Sequence, residues 1–233
     1  SYVVKNYAYE MNMYFKDNIL ALYIYQSMDT YWKLDLKLIQ SIIGKSSIIV
    51  PFEEAYLLIL SCEETESIDA IALLNTLGIN EKNSYIGISN TYDSLTNIDK
   101  VLYQSKIALK FARHKERRVV AFDDIGIYKM LIPILDNAYV VEYYDSIIEK
   151  LKKYDKRHQS ELLITAQAYI KCDGDIKKTA EGIYQHTNTI RYRIRKINEI
   201  LDNNMLLGMK YETLSMAIHL YELNMNRSKF GPL

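Results

Sequence analysis

The 233 residues carry 29 Lys/Arg and 29 Asp/Glu, so the formal net charge is zero and any affinity for nucleic acid must come from a local patch. No apolar run approaches the roughly 18 residues that a membrane span needs. Cys62 and Cys172 have no motif spacing, which favours reduced thiols in the cytoplasm. A chain of this length can form one large or two modest domains, each with its own hydrophobic core.

The first half of the chain alternates between short apolar runs and helical patterns. Residues 1–17 are rich in Tyr and Met and predict a helix that leads in from the N-terminus. Strands are predicted at 19–25, 46–52, 55–62, 84–90 and 118–122. Helices are predicted at 29–43, 67–77 and 94–114. Glu53-Glu54 is expected to form the turn of a hairpin between the second and third strands.

This order of elements predicts an α+β fold, in which a ferredoxin-like βαββαβ domain precedes an all-α helix-turn-helix domain. The sheet is expected to be antiparallel, with helices on one face. We expect a boundary near 125–137, where Pro133 interrupts the pattern, because the residues from Ala138 onwards have helical periodicity. The predicted parts are an N-terminal segment (1–17), the α+β domain (18–130), a connecting helix (131–157) and the helix-turn-helix domain (158–233).

Two short helices joined by a tight turn are predicted between Asp175 and Leu201. Asp175 follows Gly174, so a helix stop comes directly before a residue that can cap a new helix. Apolar residues then recur at helical spacing. They are Ile176, Ala180 and Ile183 in the first helix and Ile190, Ile194, Ile197 and Leu201 in the second. The turn is predicted at 184–186, with Thr187 or Asn188 capping the second helix.

The outward face of the second predicted helix is polar and basic. At about 100° per residue, Asn188, Arg191, Tyr192, Arg195 and Lys196 point away from the apolar stripe. Between residues 171 and 200, seven Lys/Arg stand against four Asp/Glu, a local charge of +3. Such side chains read purine edges and hold phosphates. The alternative for this helix is the solvated face of an ordinary helical bundle.

We expect base contacts from the start of the second helix and phosphate contacts from its outer face. The residues expected at bases are His186, Thr187, Asn188 and Arg191. Those expected at phosphates are Tyr192, Arg195 and Lys196, with Lys177 or Lys178 from the first helix. Thr189 is included in the same DNA-binding set. Arg193 lies beside Ile200 on the flank of the apolar stripe, so we expect it to have a structural or phosphate-binding role.

The run TAEGIYQHTNTIRYRIRKI resembles the C-terminal helix-turn-helix of the PucR/CdaR family of bacterial transcriptional regulators. The family signature centres on a His-x-Asn-Thr-x-x-Tyr-Arg string, which is present here as His186, Asn188, Thr189, Tyr192 and Arg193. The resemblance implies a sequence-specific DNA-binding regulator, expected to be an activator. Thr187 stands at a position that is commonly Arg in the family, a difference that bears on the target sequence.

The first domain resembles the degenerate GGDEF-like domain that precedes the helix-turn-helix in those regulators. True GGDEF cyclases place Gly-Gly-Asp-Glu-Phe between the second and third strands, where this chain has Pro51-Phe52-Glu53-Glu54-Ala55. Glycines let the backbone approach a nucleotide, whereas Pro removes a donor and Phe fills the space. The first strand ends in Tyr25-Gln26-Ser27, where the cyclases carry a metal-binding carboxylate. No catalytic, metal or cofactor site is therefore predicted.

The expected partners are double-stranded DNA and a second copy of the chain, because one helix-turn-helix makes few contacts alone. No signal-peptide pattern is present at the N-terminus, and no membrane association is predicted. Residue 1 is Ser and not Met, as in a fragment, and a small-molecule effector would then act through an upstream sensor domain. Two alternatives stay open: a nucleotide cyclase, and a ligand-sensing or protein-interaction module that does not touch DNA.

Overall fold

We describe the protein from a computed structural model that covers residues 15–16, 18–26, 35–52, 55–63, 69–77, 79, 84–201 and 210–227. The chain divides into two compact units, and the division falls between Pro133 and Ile134. We call these the sheet unit and the helical unit. The predictions for most of the segment 1–17, for residues 29–34 and for the Glu53-Glu54 turn lie outside the described residues.

The sheet unit contains five strands, four α-helices and two 3-10 turns within the described residues. The strands are β1 (Asn18–Gln26), β2 (Ile48–Phe52), β3 (Ala55–Cys62), β4 (Ser84–Ile88) and β5 (Val119–Ala121). The helices are α1 (Leu36–Ile43), α2 (Ala70–Thr76), α3 (Ile98–Lys115) and α4 (Tyr128–Ile134), the last of which ends at the unit boundary. The 3-10 turns are Leu95–Asn97 and Phe122–Ile125.

The strand order is β2-β3-β1-β4-β5, with β1 at the centre of the sheet. Strand β1 is antiparallel to both neighbours, with Leu20 opposite Leu60 of β3 and Leu22 opposite Ile88 of β4. Strand β2 is antiparallel to β3. The predicted α+β class is confirmed, and the first four strands have the βαββαβ arrangement. Strand β5 is parallel to β4. The crossover helix α3 carries the chain back to the end of the sheet at which β4 begins, so both strands run in the same direction.

Helices cover both faces of the sheet, so the expectation of helices on one face was wrong. Leu20, Leu22 and Ile24 of β1 pack in one cluster with Ile39 of α1 and Leu74 of α2. The alternate residues of β1 pack in a second cluster with α3. The members of that cluster from β1 and α3 are Ile19, Ala21, Tyr23, Ile98, Val101 and Leu109. A strand that is apolar at every position needs cover on both sides.

Gly87 allows α3 to lie directly on the backbone of β4. A Cβ atom built at this position would be 2.1 Å from the backbone nitrogen of Leu109 and 2.2 Å from the carbonyl oxygen of Ser105. These are main-chain atoms of a buried helix, so they cannot rotate away as a flexible side chain would. The close approach of α3 to the sheet therefore depends on glycine at position 87.

The helical unit consists, within the described residues, of five helices. They are α5 (Ala138–His158), α6 (Leu162–Lys171), α7 (Ile176–Gly182), α8 (Thr187–Leu201) and α9 (Lys210–Met225). Helix α6 contacts the other four helices and is the centre of the unit. Its buried residues Leu162, Ala166 and Ile170 form part of the core. The short helix α7, the turn and α8 are thereby held against one scaffold.

Candidate nucleic-acid interface

Helix α7 begins at the residue that the sequence predicted. The Asp175 carboxylate accepts hydrogen bonds from the backbone N–H groups of Lys177 (2.8 Å) and Lys178 (3.0 Å). The bond from Lys178, followed by that from Lys177, lowers the pKa of Asp175. Thr179 is buried, and its hydroxyl donates to the carbonyl oxygen of Asp175 at 2.6 Å. The predicted cap is confirmed, and it leaves the side chains of Lys177 and Lys178 exposed.

The turn between α7 and α8 is a Schellman motif. The Gln185 N–H donates to the carbonyl oxygen of Ala180 at 2.9 Å, and the Tyr184 N–H donates to that of Glu181 at 3.3 Å. Tyr184 adopts the left-handed conformation with φ of 53°, a role that usually falls to Gly or Asn. Its side chain is 94% exposed. The turn lies where the sequence predicted it, but no sequence signal indicated that Tyr184 would project from it.

His186 caps helix α8, so the expectation that Thr187 or Asn188 would do so was wrong. The His186 Nδ1 atom accepts the backbone N–H of Asn188 at 3.2 Å, and its carbonyl oxygen accepts the N–H of Ile190. An imidazole nitrogen thus takes the place of the usual Asn or Ser oxygen. Because Nδ1 is an acceptor here, the proton of the neutral ring lies on Nε2. His186 therefore presents an outward donor at the start of the helix.

The inner face of α8 follows the predicted stripe. Ile190, Ile197 and Leu201 are buried, and Ile194 is half-buried between them. These residues pack α8 into the unit whose core includes α6 and α7. The inner stripe fixes which side chains can point outward, since residues are spaced at about 100° around a helix.

The outer face of α8 carries four exposed side chains of the predicted set, which are Asn188, Arg191, Tyr192 and Arg195. Arg191 Nη1 donates to Asn188 Oδ1 at 3.0 Å, so the guanidinium and the amide lie side by side in the first turn. The half-buried Thr187 and Thr189 lie in the same turn. A guanidinium and an amide are the groups that form paired hydrogen bonds with guanine and adenine in the major groove.

Arg193 points inward and differs in this from the rest of the set. Its Nη2 donates to Glu161 Oε2 at 2.9 Å, and its Nη1 donates to Thr165 Oγ1 at 3.1 Å. The Arg193 side chain is only 15% exposed. Of the two roles that the sequence left open, these contacts favour the structural one, a clamp that joins α8 to the start of α6.

Lys196 lies at the edge of the outer face. Its Nζ pairs with Glu199 at 2.8 Å and stands 5.6 Å from the centre of the Tyr154 ring. The hydrogen bond to Glu199 raises the pKa of Lys196, so the side chain stays cationic. Lys196 therefore connects the outer face of α8 with the C-terminal part of α5.

None of the helices in the described residues is long and apolar enough to cross a membrane. No three His, Cys, Asp or Glu side chains in the same part of the chain lie together as a metal site requires.

Comparison with known proteins gives a match for part of this unit. Residues 162–220 match the PucR C-terminal helix-turn-helix domain, which corresponds to α6, α7, α8 and part of α9. The chain is 25% identical over 146 residues to the DNA-binding transcriptional activator AdeR of Bacillus subtilis (strain 168), covering 60% of this chain and 34% of AdeR. It is 31% identical over 119 residues to the proline-responsive transcriptional activator PutR of that organism, covering 50% and 29%.

A third relative from the same organism, the purine catabolism regulatory protein, is 28% identical over 142 residues, covering 59% of this chain and 26% of that protein. The chain thus spans about a third or less of the length of these curated relatives. A crystal structure of a regulator of polyketide synthase expression from Bifidobacterium adolescentis aligns over 87% of this chain and 79% of that chain. The identity is 14% and the TM-score is 0.36.

Proposed function

We propose that this chain, whose residues 162–220 form a PucR C-terminal helix-turn-helix domain, is a sequence-specific DNA-binding transcriptional regulator. The observation that carries the proposal is the exposed Asn188–Arg191 pair in the first turn of α8. In helix-turn-helix proteins the second helix enters the major groove with its N-terminal residues at the bases. The names of two relatives describe transcriptional activators, which supports activation over repression.

The exposed residues divide into two roles. Asn188 and Arg191 are assigned to base edges, together with the Nε2–H donor of His186 and the hydroxyl of Thr187. Phosphate contacts are assigned to the exposed side chains farther along α8 and at the start of α7. These are Tyr192, Arg195, Lys177 and Lys178, with Lys196 at the edge. Thr189, half-buried in the same turn, is included in the same DNA-binding set.

We propose that this chain acts in the bacterial cytoplasm. We also propose that it binds DNA as a homodimer, with one helix-turn-helix on each of two half-sites. The role is regulatory and not catalytic, because Pro51 and Phe52, the last two residues of β2, stand in the stretch where the cyclases carry glycines. A small-molecule effector is proposed as the signal to which the regulator responds. Sedimentation at increasing concentration, with and without DNA, tests the dimer.

The test of the function is a fluorescence-anisotropy titration against genomic-derived and scrambled duplexes at two salt concentrations. Arg191→Ala should lose about 1–3 kcal/mol of discrimination between the two kinds of duplex, because a base contact is removed. Arg195→Ala should weaken binding to every sequence alike and reduce the salt slope by about 1. Binding that is absent at any salt concentration would instead favour an interaction module that does not touch DNA.

A further inference from the structure

The helical unit contains a second basic feature, a groove of about 790 Å³ along the C-terminal half of α5. We call it the α5 groove. Its cations are Lys150, Lys153, Lys156 and Arg157, and Ile200 of α8 forms part of its wall. Tyr154 and His158 also line it, with ring centres 4.2 Å apart. None of these residues belongs to the DNA-binding set assigned above.

The four cations of the α5 groove have no neutralising partner within the described residues. All four are exposed. By contrast, Lys152 on another side of the same helix pairs with Glu149 at 3.0 Å. Unpaired cations that line one groove produce a local positive potential, which attracts anions.

The nearest acidic residue of α5 is occupied elsewhere. The Asp155 carboxylate accepts the backbone N–H groups of Leu162 (2.7 Å) and Leu163 (3.0 Å), as well as the hydroxyl of Ser160. Asp155 therefore caps α6 and forms no ion pair with the cations of the groove.

The α5 groove is continuous with the outer face of α8. Lys196 stands over the ring of Tyr154, which lines the groove, and Ile200 lies one helical turn beyond Lys196. Lys196 follows Arg195, which is on the outer face. The surface therefore runs from the residues assigned to phosphates, past Lys196, into the α5 groove.

The spacing of the groove cations matches an extended polyanion better than a single small anion. Lys150, Lys153 and Arg157 are at i, i+3 and i+7, so they form one exposed row about 10 Å long. Successive phosphates of one DNA strand advance by about 3.4 Å along the axis, so this row spans about three of them. Long, exposed side chains can follow a phosphate backbone without reading its sequence.

We propose that the α5 groove binds the sugar-phosphate backbone of DNA that flanks the bases read by α8. The proposal rests on the function proposed above and extends its DNA contact from the helix-turn-helix to α5. The groove adds affinity that does not depend on sequence, whereas α8 supplies the sequence preference. Removing the cations of the groove should therefore weaken binding to all duplexes and leave their ranking intact.

The test uses the full chain and a mixed-sequence duplex of about 30 base pairs, roughly 100 Å long, titrated by anisotropy at several salt concentrations. A plot of log K against log salt has a negative slope, to which each phosphate contact contributes about 0.9 in magnitude. The triple variant Lys150→Gln, Lys153→Gln, Arg157→Gln should therefore reduce the magnitude of this slope by about 2.7. Genomic-derived and scrambled duplexes should keep their order of affinity. Circular dichroism verifies that the variant is folded, as expected for exposed substitutions.

A matched pair of single variants provides the control. Lys153→Gln and Lys152→Gln make the same chemical change one residue apart on α5, but only Lys153 lines the groove. Lys153→Gln should lower the slope by about 0.9, and Lys152→Gln should leave it unchanged. Equal effects of the two variants would mean that total charge, and not the groove, determines the affinity, and would overturn the proposal.

Other outcomes separate this proposal from the function on which it rests. If the triple variant keeps the wild-type slope while Arg195→Gln lowers it, the protein binds DNA but the α5 groove does not. If tripolyphosphate binds the wild type and not the triple variant, with the DNA slope unchanged, the groove is a site for a small anion and the proposal is wrong. If the wild type shows no salt-dependent DNA binding, both proposals fail.

Discussion

The sheet unit and the helical unit place their cations differently. In the sheet unit, Arg113 stacks 3.8 Å from the centre of the Tyr25 ring and Arg118 lies 4.5 Å from that of Tyr85. In the helical unit, Arg195 and the cations of the α5 groove are exposed. The chain as a whole has no excess charge, so its total composition gives no sign of a basic surface. The neighbours of each cation, and not its abundance, led to the proposed nucleic-acid surface.

A second difference is steric. The sheet unit depends on close contact between a helix and a strand at Gly87, whereas the helix-turn-helix of the helical unit contains Gly182 at the end of α7 with open space around it. The sheet unit is thus constrained mainly by internal packing, and the helix-turn-helix mainly by what its surface presents. Three predictions test this contrast.

The largest effect is expected from Gly87→Ala. The new methyl group would lie 2.1 Å from the Leu109 backbone nitrogen, so α3 must move away from the sheet. We expect a loss of about 3 kcal/mol or more in the free energy of unfolding of the sheet unit. Amide hydrogen exchange in β1 and β4 measures it.

The control for that substitution is the same chemical change in the other unit. Gly182→Ala meets nothing within 4 Å and lies in a helix, so it should stabilise α7 by up to about 1 kcal/mol. Equal losses of hydrogen-exchange protection in the two variants would contradict the contrast, because the added methyl group would then matter regardless of its surroundings.

Much of the sheet was predictable because its strands are short, apolar and bounded by helical patterns. The two-sided cover could also have been inferred, since ILALYIY contains no polar residue facing a solvent side. The parallel position of β5 could not, because Val119–Ala121 is three residues long and its register depends on how α3 returns the chain. Close approach at Gly87 also gave no sequence signal, because its partner atoms lie in α3, 18 to 22 residues later.

The candidate interface was predictable as a face and not as a set of individual contacts. Helical periodicity was enough to orient Arg191 and Arg195 outward, because the apolar stripe of α8 is regular. The cap at His186 was missed, since imidazole is uncommon at this position. The α5 groove was missed as well, because a basic helix end is usually a solvated surface and only the packing of Ile200 and Lys196 beside it gives it a shape.

Arg193 provides the second prediction, because it is a cation of the helical unit that is held by neighbouring side chains, as Arg113 and Arg118 of the sheet unit are. Arg193→Gln removes the ion pair with Glu161 and the bond to Thr165. We expect a loss of about 1–2 kcal/mol in the free energy of unfolding of the helical unit. This is the lower end of the range for a hydrogen bond between charged groups, because solvent screens the half-exposed Glu161 side chain. Urea denaturation followed by circular dichroism measures it.

The matched control for Arg193 lies two residues away on the same helix. Arg195→Gln should change the stability by no more than about 0.5 kcal/mol, because the side chain is exposed. In DNA binding the order should reverse, with the salt slope reduced by Arg195→Gln and retained by Arg193→Gln. A slope that falls equally in both would assign Arg193 to the phosphates and would break the contrast.

The smallest effect concerns the cap of α7 and depends on pH. The hydrogen bonds from the Lys178 and Lys177 N–H groups lower the pKa of Asp175 below its usual 3.8. Because the folded pKa is lower than the unfolded one, ionised Asp175 favours the folded state at pH values above 3.8. This stabilisation is lost as the pH falls from 3.8 through the folded pKa, because protonation then favours the unfolded chain.

Asp175→Asn tests that dependence, since the amide keeps an oxygen acceptor for the cap but does not titrate. We expect the wild type to be more stable than the variant by a constant amount from about pH 7 to about pH 5. The difference should shrink below pH 3.8, where the wild-type carboxylate becomes protonated. Thermal unfolding of both proteins across this range, followed by circular dichroism, measures it. A difference that widens as the pH falls would mean that the folded structure raises the pKa of Asp175, and that α7 is not capped through its charge.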